Sequence, residues 1–135
     1  MESNHILYLS IIMRFVPLFV LLLVALSSAI TYEMSVDNKT FNSIELVSFS
    51  PSSGWRYPPP QSIPMLRNDQ MEIDDARARV TYKLKYRQTW EEVSVEFGKG
   101  VNPPRITNSK FCHVSPLYPC RSGYVCHNLL VDHHF

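Results

Sequence analysis

The chain has 135 residues, 45% of them hydrophobic, and its 13 Lys and Arg residues nearly balance its 12 Asp and Glu residues. This length suffices for one globular domain that buries most of its apolar surface, and no second domain fits. A net charge of +1 gives no indication of nucleic acid or of an anionic membrane as a partner, so the charge predicts only solubility.

The N-terminal segment predicts export from the cell. Arg14 precedes an apolar run over residues 15–26, and residues 27–29 supply the small side chains of a cleavage site. This is the pattern of a secretory signal peptide. We therefore expect residues 1–29 to be removed and residues 30–135 to form a single secreted domain.

An uncleaved, single-pass membrane anchor is the alternative interpretation of this segment. Residues 6–30 supply the roughly 20 apolar residues that a spanning helix needs. Arg14, Pro17 and the small residues that end the segment favour cleavage. Because Met13 already begins a complete signal sequence, residues 1–12 are interpreted as an upstream extension of it.

The mature chain predicts an all-β domain. Its apolar residues show no helix-length periodicity, and short alternating or β-branched runs recur between turn-forming residues. Tyr32 to Val36 predicts a first strand that ends at the polar run Asp37 to Thr40. Ile44 to Phe49 predicts a second strand that ends at Pro51 to Gly54.

An N-glycosylation sequon lies in the first polar break, because Asn38 is followed by Lys39 and Thr40. A break between strands is where an exposed acceptor is expected, and the predicted export gives access to the glycosylation machinery. We therefore predict a glycoprotein that is modified at Asn38.

Trp55 to Pro64 contains four prolines, which remove backbone donors and favour extended polyproline II geometry. We expect a rigid surface connection, and not a strand of a central sheet, with Trp55 and Tyr57 packed against the domain. A ligand for an SH3-type groove is the functional alternative, but such grooves are mostly cytoplasmic and this chain is predicted to leave the cytoplasm.

The longest alternating pattern runs from Ala76 to Phe97 and predicts a central hairpin. Apolar residues alternate with cationic residues in its first half and mainly with glutamates in its second half. With a turn over residues 88–91, one face is buried and the other is a solvated, salt-bridged surface whose basic stripe is neutralised. The expected cross-strand pairs are Arg87 with Glu92, Tyr86 with Val93, Leu84 with Val95, Lys83 with Glu96, and Tyr82 with Phe97.

Three cysteines lie near the C-terminus, and an oxidising compartment predicts one disulfide and one unpaired thiol. The sequence leaves three pairings open. Our prediction pairs Cys112 with Cys120, a short loop whose closure contributes roughly 2 to 3 kcal/mol on the chain-entropy model. Cys126 is then the unpaired thiol.

A zinc site built from these cysteines and His127 or His133 is the alternative use of the thiols. The sequence disfavours it, because no C-x-x-C pair is present and extracellular thiols oxidise. We predict no metal, and we interpret the closing histidines, including His133, as a solvated tail.

Several short segments follow one another in a recognisable order: an early strand that leads into a proline turn, a long hairpin, and a cysteine-bearing loop before a last strand. These segments are Ile44 to Pro51, Arg77 to Phe97, Phe111 to Cys120, Gly123 to Tyr124, and Leu129 to Asp132. Their order resembles the MD-2-related lipid-recognition family and the ganglioside-activator-type secreted proteins. The resemblance implies a small antiparallel, immunoglobulin-like β-sandwich that carries a lipid or another apolar ligand between its sheets.

The chain departs from that family at both ends. No cysteine lies near the mature N-terminus, where many members place a partner for a second disulfide. The sequence also stops at Phe135, where members add a further core strand. We therefore expect a truncated or atypical member.

The inner face of the predicted hairpin is the candidate surface for an apolar small molecule or lipid. Its members are Val80, Tyr82, Leu84, Tyr86, Val93, Val95 and Phe97. Close packing against a second sheet explains the same pattern without a ligand. The alternative function is a secreted, non-enzymatic interaction protein that binds an extracellular partner through its surface or through the thiol of Cys126.

Enzymatic function has little support in the sequence. No motif of a serine hydrolase, a zinc metalloprotease or a nucleotide-binding enzyme occurs. Cys112 and His113, like Cys126 and His127, are adjacent in sequence, and adjacent side chains diverge in extended backbone. We predict no catalytic residue and no cofactor.

Overall fold

The computed structural model describes residues 29–133, which form two five-stranded β-sheets around one hydrophobic core. The prediction of an all-β domain is confirmed. The predicted signal peptide lies outside the described residues except for Ala29. Within residues 29–133, we find no helix with the length and apolar character needed to cross a membrane.

The strands in chain order are β1 (Thr31–Asn38), β2 (Ile44–Ser50), β3 (Trp55–Tyr57), β4 (Ser62–Ile63), β5 (Asn68–Asp74), β6 (Arg77–Tyr86), β7 (Thr89–Gly98), β8 (Val101–Ile106), β9 (Cys112–Val114) and β10 (Tyr124–Val131). The first sheet has the order β3-β5-β1-β10-β9, and the second has the order β4-β2-β6-β7-β8. The pairing of β1 with β10 is parallel, and the other strand pairs described are antiparallel. Both N-terminal strands that the sequence predicts are therefore present.

Alternation along each strand divides the residues between core and surface. In β1, Met34 and Val36 are fully buried in the core, whereas Glu33 and Ser35 lie on the opposite face of the sheet. The parallel partner β10 places His127 beside Met34. The inner face of the first sheet thus includes His127, for which the sequence predicted neither a metal nor a catalytic role.

The central hairpin is confirmed, but its predicted register is wrong. The turn consists of Arg87 and Gln88, with φ angles of 50° and 66°, and two such residues make the hairpin turn whose twist matches the flanking strands. The shorter turn moves each partner by four positions, so Tyr82 pairs with Val93 and not with Phe97. Because the shift is even, every side chain keeps its predicted face.

The proline-rich connection contributes only short edge strands, one to each sheet, so the prediction that it contains no central strand is confirmed. Trp55 packs against the core, and its Nε1 donates a hydrogen bond of 2.7 Å to the carbonyl oxygen of Pro51. The prediction that Tyr57 also packs against the domain is wrong, since its side chain is 56% exposed.

The strand directions give the domain two ends, which we name by their loops. The tip end carries residues 39–43, 64–67, 87–88 and 107–111. The strap end carries the β7–β8 turn and residues 115–123, which we call the strap.

Candidate functional site

The predicted ligand-binding face of the hairpin is buried as expected. Tyr86 is partly buried, and the other members are at most 1% exposed: Val80, Tyr82, Leu84, Val93, Val95 and Phe97. These side chains belong to the same packed cluster as Met34, Met71 and Leu129 of the facing sheet. Packing between sheets therefore accounts for the hairpin face, as the simpler interpretation of the sequence holds.

The hydroxyl of Tyr82 serves the fold and not a ligand. It donates a hydrogen bond of 2.8 Å to the carbonyl oxygen of Pro60 and so holds the proline-rich connection. Burial raises the pKa of Tyr82 well above its usual value, and the charge of Asp69 adds to the effect.

Asn38 is fully buried, so the prediction of an exposed glycosylation acceptor is wrong. Its Nδ2 donates to the carbonyl oxygens of Asn42, Ile63 and Pro64 at 2.9, 3.0 and 3.1 Å. Its Oδ1 accepts hydrogen bonds from the backbone N–H and the hydroxyl of Thr40 at 3.0 and 2.7 Å. A buried carboxamide needs hydrogen-bond partners for both its NH₂ group and its oxygen. The sequon residues therefore join two loops of the tip end.

The loops that Asn38 joins expose apolar side chains to solvent. Phe41 is 72% exposed, Met65 is 53% exposed, and Leu66 is 58% exposed. The backbone hydrogen bonds from Asn38 to Arg67 and from Arg67 to Pro64 fix the second loop beside the first. We call these three side chains the apolar tip. The sequence contained them, but their exposure depends on loops that only the fold brings together.

An aromatic row continues from the apolar tip across the same end. The ring of His133 stacks on the rings of Phe41 and Tyr86, with distances between ring centres of 6.0 and 5.7 Å. Tyr86 in turn contacts Phe111 edge-on, with 5.1 Å between the ring centres. Tyr86, Phe111 and His133 line an open surface groove with Glu91 and residues 108–110. The prediction that His133 belongs to a solvated tail is wrong, because the ring is part of this row.

Cationic side chains surround the tip end. Arg67, Arg87 and Lys110 follow or precede its apolar residues, and no ion pair of residues 29–133 includes them. The guanidinium of Arg87 lies 5.1 Å from the ring centre of Tyr86. The tip end therefore combines exposed apolar groups with positive charge that the described carboxylates do not pair.

At the strap end, the disulfide joins Cys120 to Cys126, so the predicted pairing of Cys112 with Cys120 is wrong. Cys112 is the free thiol: it is buried in the core, and its Sγ contacts the carbonyl oxygen of Thr107 at 3.3 Å. Burial raises the pKa of Cys112 to about 11. Cys126 lies on the other face of the sheet, opposite Glu33, where the strap folds over it.

Two carboxylates lie beneath the strap. Glu33 and Glu72 are directly opposite in the β1–β5 pair, and both are buried. Arg121 of the strap places its guanidinium 3.4 Å from Glu72 and 3.9 Å from Glu33. Oε2 of Glu72 is buried and has no hydrogen-bond partner among residues 29–133.

Burial of Glu33 raises its pKa, and the charge of Glu72 raises it further, while Arg121 lowers it. Glu33 also lies within 4.8 Å of the sulfurs of Cys120 and Cys126. A zinc site does not result, because the two sulfurs are bonded to each other and are not thiolates.

No protein-family model matches this sequence, and a search of curated proteins finds no match. The resemblance to the MD-2-related lipid-recognition family stays a prediction. The feature with the clearest chemical meaning for binding is the tip end, where apolar side chains and cations share one exposed surface.

Proposed function

We propose that this protein is a secreted, non-enzymatic lipid-binding protein that attaches to a bilayer surface through its tip end. The observation that carries the proposal is the apolar tip. Phe41, Met65 and Leu66 are each more than half exposed on loops at one end of the domain. Exposed apolar residues that cluster beside one another are typical of interaction surfaces, whereas isolated ones are ordinary.

The free energy available from the apolar tip fits reversible attachment. Full burial of a Leu, Met or Phe side chain contributes about 1.5 to 3 kcal/mol relative to full exposure. The tip supplies a large part of that for three side chains, since each is 53–72% exposed. The aromatic row next to it offers further rings, and amphipathic rings are of the kind that prefers the membrane interface.

Positive charge around the tip favours lipid headgroups with phosphate. Arg67, Arg87 and Lys110 lie on the same end as the apolar tip. A cationic side chain near an anionic leaflet contributes about 1 kcal/mol, and salt reduces that contribution. The positive charge at the tip end thus supports an anionic lipid as a partner, although the net charge of the chain does not indicate one.

The lipid ligand and the export are those that the sequence predicts, but the lipid contacts the tip end and does not lie between the sheets. The sequence suggested a ligand between the sheets, inside an immunoglobulin-like sandwich. Packing against the facing sheet accounts for the buried residues of the hairpin face, and the small cavity beside Phe97 has no room for a lipid. The alternative, a secreted interaction protein, would use the same exposed surfaces for an extracellular protein partner.

Vesicle flotation of the mature protein tests the proposal. We expect the protein to float with vesicles of mixed phosphatidylcholine and phosphatidylserine, and we expect Phe41→Ser, Met65→Ser and Leu66→Ser together to abolish flotation. The matched control replaces three apolar residues that are similarly exposed elsewhere: Val47→Ser, Tyr57→Ser and Leu117→Ser. Flotation of the tip variant at the level of the unaltered protein would contradict the proposal.

The charge contribution is tested by a second pair of variants. Arg67→Gln with Lys110→Gln should weaken flotation with phosphatidylserine vesicles and reduce its dependence on salt. Arg79→Gln with Arg105→Gln, on the outer face of the second sheet, should leave flotation unchanged. An apolar mass that co-purifies with the protein and also with the tip variant would instead favour a ligand between the sheets.

A further inference from the structure

A cavity lies between the two sheets at the strap end, away from the apolar tip. The first sheet contributes Tyr32, Val125 and His127 to its wall. The second sheet contributes Phe97 and Gly98 of β7, Gly100 of the turn, and Val101 and Asn102 of β8. The cavity has a volume of about 130 Å³.

The size of the cavity limits what it can hold. Pockets for drug-sized ligands have volumes of about 300 to 1,000 Å³. A cavity of about 150 Å³ with an apolar lining binds benzene in a well-studied engineered protein. A volume of about 130 Å³ therefore fits a single small ring and excludes an acyl chain.

Two glycines of the segment that joins β7 to β8 line the cavity. Gly98 and Gly100 both have positive φ angles, 104° and 77°, which favour glycine. A Cβ on Gly98 would lie 2.2 Å from the carbonyl oxygen of Ala76, so no side chain fits there. Gly98 and Gly100, with Lys99 between them, make part of the wall from backbone alone.

His127 gives the cavity one directional polar group. Its side chain is buried on the inner face of β10, and its Nδ1 lies 3.2 Å from the carbonyl oxygen of Ser115. A carbonyl oxygen only accepts hydrogen bonds, so Nδ1 donates in that contact. Nε2 of the neutral ring is then an acceptor.

We propose that this cavity binds a small monocyclic molecule with one hydrogen-bond donor, of the phenol type. The ring contacts Tyr32, Phe97 and Val125, and its hydroxyl donates to Nε2 of His127. Mostly apolar walls with a few polar groups are the usual composition of a small-molecule site, and here His127 lies among Phe97, Val101 and Val125. The site is independent of the proposed attachment to lipid, because the two share no residue.

Titration of the ¹⁵N-labelled mature protein with phenol and with benzene, followed by amide NMR, tests this inference. We expect both ligands to shift amide signals of residues 97–102 and 125–127, with phenol binding about five-fold more tightly, as one hydrogen bond provides. His127→Phe should reduce the affinity for phenol to that for benzene. Val125→Phe should abolish the binding of both ligands by filling the cavity.

The apolar-tip variant serves as the control and should bind phenol like the unaltered protein. If Val125→Phe does not give a folded spectrum, Val101→Leu fills the cavity from the other sheet. Absence of shifts at saturating phenol, or shifts scattered over the surface, would overturn the inference. Equal affinities for phenol and benzene in the unaltered protein would overturn the role of His127.

Discussion

At the tip end, Phe41, Met65 and Leu66 lie exposed to solvent, whereas at the strap end Glu33 and Glu72 lie buried beneath a loop. Apolar side chains are usually buried and carboxylates are usually exposed, so each end reverses the usual placement. The exposed apolar groups sit on turns that the core does not need. The buried carboxylates sit in central strands, so the fold must compensate them. The fold can therefore lose the exposed residues of the tip end, whereas it depends on the compensation of the carboxylates at the strap end.

The compensation at the strap end comes from one cation and one covalent bond. The guanidinium of Arg121 contacts both carboxylates while its own side chain is 63% exposed. The disulfide between Cys120 and Cys126 holds Arg121 in the strap above them. A buried charge that loses its partner is strongly destabilising, whereas a surface ion pair contributes little.

Among the residues of the two ends, the largest expected effect on stability therefore comes from Arg121→Ala. We expect the free energy of unfolding to fall by about 2 kcal/mol, because Glu72 is left buried without its counter-ion. Lys99→Ala, which breaks an exposed ion pair with Asp75 of 3.2 Å, should cost less than about 0.5 kcal/mol. Urea denaturation measures both.

Glu72→Gln provides a check on the cause. Combined with Arg121→Ala, it should recover much of the lost stability, since a neutral amide no longer requires the cation. If Arg121→Ala and Lys99→Ala cost the same, the two carboxylates do not depend on the strap, and the contrast between the ends disappears.

The next effect is a pH dependence at Glu33. Burial first, and Glu72 second, raise its pKa above 4.5, so the folded state holds this proton more tightly than the unfolded state. The contribution of Glu33 to stability is therefore present at acid pH and is lost as pH rises through the raised pKa. The stability of the unaltered protein relative to Glu33→Gln should fall between pH 4.5 and neutral pH. A difference that grows with pH would contradict the assignment.

The sequence predicted most of the fold because alternation records burial directly. The inward and outward faces of β6 and β7 are as expected even though the register is not. The error came from Arg87 and Gln88, which form a two-residue turn without the glycine or asparagine that usually marks one. Because the register differs by an even number of residues, the alternation of apolar and polar residues fits both registers equally well.

The candidate sites were harder to predict because they depend on contacts between distant segments. The burial of Asn38 requires the carbonyl groups of Ile63 and Pro64, which are 25 and 26 residues away. The disulfide pairing depends on whether Cys112 faces the core, and a three-residue strand gives too little alternation to decide it. In the sequence, Glu33 is indistinguishable from a surface carboxylate, because nothing there shows that the strap covers it.

The smallest expected effect on stability belongs to the apolar tip. Phe41→Ser, Met65→Ser and Leu66→Ser together should change the free energy of unfolding by no more than about 0.5 kcal/mol, since each side chain is more than half exposed and substitutions at such surface positions rarely do more. Leu84→Ala, at a fully buried position of the hairpin, should cost about 2 to 5 kcal/mol in the same urea titration. A large loss of stability in the tip variant would show that these side chains serve the fold, and their exposure would then no longer support a role in lipid binding.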